Sequence, residues 1–141
     1  MSQQVEAQSA ETGYRVAGGI MMIVSACLLI VVDLINMLTF PSFLFWREFP
    51  NWLIWIVFAS LALVGGAFMF TRTHLLFSVF GGSLLIPSTA SYALGVFETV
   101  LLGEYPAFSG IFVTYLILGP VAFVLSILSL VFLAKSKSEF R

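Results

Sequence analysis

Four long apolar stretches occupy nearly the whole of this chain and leave little room for anything else. They cover residues 16–38, 52–70, 75–102 and 111–134. Each is long enough to cross the ~30 Å hydrocarbon core of a bilayer, which takes roughly 20 helical residues. A segment in that core must pair its own backbone N–H and C=O groups, so the four stretches read as helices. The short connections predict an all-α, antiparallel four-helix transmembrane bundle.

Composition agrees with that reading. The 141 residues are 60% hydrophobic and only 9% charged, which excludes an ordinary water-soluble domain. The expected organisation is one transmembrane domain over residues 16–134, a short disordered tail over 1–15 and a cytoplasmic tail over 135–141. Glu6 and Glu11 stand where a signal peptide would be positive, so the first stretch is expected to stay in the mature protein as an anchor. A net charge of −1 argues against nucleic-acid binding, which needs a basic face. No run of clustered basic residues supports capture of acidic lipids. Cys27 stands alone, so it forms no intrachain disulfide and no cysteine-based metal site. It is expected to pack as a small buried hydrophobe.

Lys and Arg in short loops set orientation. Arg15, Arg72, Lys135, Lys137 and Arg141 fall on one side of a four-span chain, and Arg47 with Glu48 and Glu104 on the other. Both termini are therefore expected in the cytoplasm, with the plasma membrane as the expected location. Trp46, Trp52 and Trp55 belong to an aromatic belt suited to the outer headgroup level. The surrounding segment, residues 40–51, is expected to lie along that interface.

Three glycine pairs, Gly18-Gly19, Gly65-Gly66 and Gly81-Gly82, fall in the cytoplasmic half of their spans. Helices in lipid associate through close backbone approach at small residues, so spans one to three are expected to converge there. Gly18, Ser25, Leu29, Asp33 and Asn36 share one arc of span one. Gly81, Ser88, Tyr92, Gly95 and Thr99 share one arc of span three at a constant offset, as a duplicated hairpin would. Both arcs are expected to face the interior.

Asp33 and Glu98 are the ionisable residues in the outer parts of the spans. With Asn36, Ser88 and Tyr92 they form the candidate polar or ion site. A carboxylate among helices in lipid is a functional candidate because burying it unpaired is costly. Its depth, close to the outer boundary, favours a hydrated structural role instead, and both readings stay open. In the segment 87–92 (PSTASY), Pro87 cannot bond to the carbonyl of Ser83, so a kink is expected near the membrane centre. Its hydroxyls, with Ser25 and Ser60 at similar depth, suit either a hydroxyl-lined cavity or hydrogen bonds between helices. His74 has no second histidine or cysteine with which to build a metal site. No catalytic or cofactor-binding signature is present.

Three segments carry a resemblance: RVAGGIMMIVSA opening span one, GGAFMFTRTHLLFSVFGGSLLI joining spans two and three, and SILSLVFLAKSKSEFR closing the chain. They resemble small uncharacterised archaeal and bacterial four-helix membrane proteins. The resemblance implies an architecture, with no activity and no site residues. The paired loop cysteines of claudins are absent. The expected function is that of a non-enzymatic structural or accessory subunit, in contact with membrane lipids and packed against a larger membrane partner or itself. The alternative is a small transporter or channel component using Asp33, Asn36, Glu98 and the segment 87–91.

Overall fold

The computed structural model describes the backbone of residues 1–39, 42–102 and 109–140, and the side chains of 1–35, 37, 38, 50–94 and 117–140. Four helices follow in order: α1 Ser2–Thr39, α2 Ser42–Thr71, α3 Leu75–Leu102 and α4 Ser109–Lys135, with a 3-10 turn at Lys137–Glu139. All four helices are long and apolar enough to cross a membrane.

The N-terminal segment departs from expectation. Residues expected to be a disordered tail are the first turns of α1, which is 38 residues long. Gln3, Gln4, Glu6, Ala7, Gln8 and Ala10 are good helix formers, and extending an existing helix avoids the cost of nucleation. At 1.5 Å per residue α1 spans about 57 Å, well beyond the hydrocarbon thickness. α2 differs too. It starts at Ser42, so Pro50 lies inside it rather than at its entrance. The segment expected to lie along the interface is thus helical from Ser42 and continuous with the second span.

α2 and α3 are joined by a turn in which Arg72 and His74 adopt positive φ of 59° and 55°. Side chains other than glycine rarely adopt that conformation. Here the turn is secured on both sides. The carbonyl of His74 accepts the amides of Phe77 (2.9 Å) and Ser78 (3.2 Å), opening α3. The imidazole packs edge-on against Phe68 with ring centroids 4.7 Å apart.

α1 packs against α2 and α4, and α3 packs against the same two helices. α1 and α3 therefore occupy opposite corners. The glycine pairs sit at close approaches between helices. A Cβ on Gly19 would lie 3.3 Å from the carbonyl oxygen of Gly66, and one on Gly81 only 2.9 Å from that of Leu61. Met22 reaches into the layer from α1, against both Gly65 and Gly82. Met22, Ala26, Leu29, Ala59, Ala62, Met69, Leu85 and Leu133 form the core around them.

Residue size is sorted in the sense opposite to a soluble protein. Ser25, Ser78, Ser88, Thr89, Ser126 and Ser129 are buried, whereas Ile20, Val31, Leu53, Val57, Phe80, Leu94 and Val124 face outward. A solvent of lipid tails accepts large apolar side chains, while small residues let helices approach. Cys27, expected to be buried, is exposed on this outer surface. It follows Ala26, which takes the inward position on α1.

Candidate functional site

Two polar constellations lie about 27 Å apart along α1, at 1.5 Å per residue from Arg15 to Asp33. The first ties the chain ends together. Arg15 is 4% exposed. Its Nη1 donates to the carbonyls of Met69 (2.5 Å) and Phe70 (3.1 Å), and its Nε to Glu139 Oε2 (2.7 Å). One guanidinium thereby satisfies carbonyls at the end of α2 and holds the segment after α4. Positive charge at a helix C-terminus is also favoured by the helix dipole. Around it Thr12 donates to Glu139, and Ser138 donates to Glu11. The Lys135 ammonium lies 4.8 Å from the centre of the Tyr14 ring, a cation–π contact. Burial alone would raise the Glu139 carboxyl. The hydrogen bonds from Thr12 and Arg15, with the charges of Arg15 and Arg72, outweigh it and hold the carboxyl below the ordinary glutamate range.

This clasp was not legible in the sequence. In the sequence Arg15 and the tail lysines read as orientation signals, and no spacing singles out Glu139. The pairing of Arg15 with Glu139 joins residues 124 positions apart, and no local spacing connects them.

The second constellation centres on Asp33. Its side chain is fully buried, and Oδ1 accepts a hydrogen bond from the Tyr92 hydroxyl across the diagonal between α1 and α3. Oδ2 has no partner. Asp33 therefore faces inward, as its arc of α1 predicts, whereas its depth along the helix alone suggests a hydrated position near the boundary. Tyr92 fits because Gly119 of α4 lies against its Cβ, at 3.3 Å from the position a glycine Cβ would take. Of the other candidate residues, Ser88 is buried and donates to the carbonyl of Leu84 (3.0 Å), one turn back on its own helix. Asn36 and Glu98 lie outside the described side chains.

The segment 87–92 divides between two faces. Ser88 and Thr89 are buried, whereas Pro87 and Ser91 are exposed. Thr89 donates to the carbonyl of Leu85 (2.6 Å), and its hydroxyl lies 3.2 Å from that of Ser126 on α4. Ser25 donates to the carbonyl of Ala122 (2.7 Å), joining α1 to α4 at similar depth. Ser60 is exposed and bonds to Ile56 on its own helix. The described hydroxyls at this level thus stitch helices together or close on their own backbone.

Trp52, expected as an interfacial anchor, is 7% exposed. It occupies an inward position on α2, two residues after Pro50. Trp55 is half-buried against Phe58, with ring centroids 5.7 Å apart. Trp46 lies outside the described side chains. Compared with protein-family models, with curated proteins and with solved structures, the chain matches none.

Proposed function

We propose that this chain is a non-enzymatic multi-pass membrane protein of the structural or accessory class. In this reading it is an up-and-down antiparallel bundle with both ends in the cytoplasm, in the plasma membrane, packed against a larger membrane partner or a second copy. The supporting observation is the state of the interior. Each described buried hydroxyl, from Ser25 and Ser78 to Ser129 and Ser136, donates to a backbone carbonyl. Ser25 and Ser78 bond across to other helices, at roughly 0.6 kcal/mol each, and the rest close on their own helix, so these hydroxyls are engaged rather than free to line a path for a polar solute. The outward faces carry large apolar side chains on all four helices. These suit lipid tails or another transmembrane surface.

Purification from the native membrane in mild detergent, with native mass and identification of co-purifying chains, tests this reading. A stoichiometric larger partner or a stable homo-oligomer is the expected outcome. A monomer with a saturable solute flux after reconstitution would overturn it.

A second reading, a small transporter or channel component, draws on one observation: the buried Asp33 carboxylate with one oxygen unpaired. Ionisable groups at such positions mark ion or proton pathways. Loss of an ion-linked flux in Asp33→Asn would favour this second reading, and unchanged flux would remove it.

A further inference from the structure

Asp33 Oδ2 is the buried side-chain polar atom that the described residues leave without a partner. We propose that Asp33 and Tyr92 form a binding site for a small monovalent cation of the size of sodium.

Charge comes first. Asp33 is fully enclosed, and the described turns of the four helices around it hold no Lys, Arg or His. The nearest described cation on its own helix, Arg15, is about 27 Å away at 1.5 Å per residue and already paired with Glu139. A carboxylate taken out of water without a counter-charge is strongly disfavoured. A bound cation supplies that charge.

Ligand chemistry comes second. Hard cations take oxygen ligands. Asp33 Oδ2 is bare, and the Tyr92 hydroxyl oxygen lies within hydrogen-bond reach of the same carboxylate. Among the described residues the site holds one carboxylate, which matches a single positive charge. Among the described residues no three His, Cys, Asp or Glu side chains come together as a divalent ion would favour.

This inference goes beyond the accessory reading and would give the transporter reading its ion. Binding is measured on the purified chain without flux or partner, so it stands or falls separately from both. The probe is sodium chloride against N-methyl-D-glucamine chloride at equal ionic strength and constant neutral pH, with thermal unfolding of the full chain in detergent as readout. Sodium is expected to raise Tm saturably in the wild type. Asp33→Asn should abolish the rise, and Tyr92→Phe should increase the half-saturating concentration at least about tenfold, the equivalent of one lost ligand. If Asp33→Asn does not fold, equilibrium binding of radioactive sodium to the wild type and to Tyr92→Phe decides. Equal Tm in both salts, a sodium effect unchanged in Asp33→Asn, or a response to pH alone would each overturn the proposal.

Discussion

Arg15 ties α1 to the end of α2 and to the segment after α4. It satisfies two carbonyls at the end of α2 and pairs with Glu139 beyond α4. Arg15→Ala leaves those groups without their donor and is expected to lower stability by about 1–3 kcal/mol, read as a fall in Tm in detergent. Arg15→Lys should recover little, because one ammonium cannot reproduce a fork of donors aimed at three acceptors. Glu139 gives the clasp a pH dependence of known sign. Its carboxyl is held below the ordinary glutamate range by Thr12, Arg15 and Arg72 acting against burial. The folded state therefore binds its proton less readily than the unfolded state. The contribution is fully present above the ordinary glutamate range and is lost as pH falls through the lowered folded value. Glu139→Gln should flatten the acid limb of a Tm-against-pH profile while leaving the shape of its neutral region unchanged.

Close approach at the scale of helices depends on a few missing side chains. Gly81 and Gly82 are neighbours in sequence yet meet different surroundings. An added Cβ at Gly81 would strike backbone, Leu61 O at 2.9 Å and Ala62 Cα at 3.0 Å, so α2 and α3 must separate. At Gly82 it would meet Leu130 Cδ2 at 2.6 Å and Met22 Cε at 2.9 Å, the movable ends of flexible side chains. Gly81→Ala is expected to cost about 1–3 kcal/mol, as overpacking does, and Gly82→Ala less. Gly13→Ala serves as the control: nothing lies within 4 Å, and the gain from helix propensity is about 0.5–1 kcal/mol. Thermal unfolding of the three variants should rank them in that order. Equal losses at Gly81 and Gly82 would refute the distinction between backbone and side-chain neighbours.

For the whole molecule, orientation is the property to measure. In a Cys27→Ala background, a single cysteine at Thr71 is expected to resist an impermeant thiol reagent in intact cells. Strong labelling there would put the turn between α2 and α3 outside and reverse the proposed orientation. The background change is mild, because Cys27 lies on the exposed face of α1 rather than in the core.

Length and hydropathy alone determined that the chain has four helices capable of crossing a membrane, because backbone pairing in lipid leaves a segment of that length no alternative. The glycine pairs and the described inward members of the arcs, Gly18, Ser25, Leu29, Gly81 and Ser88, were readable for a similar reason: small residues at helical spacing specify a face without knowledge of its partner, and Asn36, Gly95 and Thr99 lie outside the described side chains. The arc of span one turns Asp33 toward the interior, while its depth along the helix suits a hydrated position at the boundary, and the two signals conflict. Only the tertiary structure decided between them, setting Asp33 on Tyr92 with one oxygen that the described residues leave unpaired. The tertiary structure alone likewise brought Arg15 to the end of α2 and to Glu139. Those contacts join distant parts of the chain, and periodicity within one helix carries no information about which group stands opposite on another.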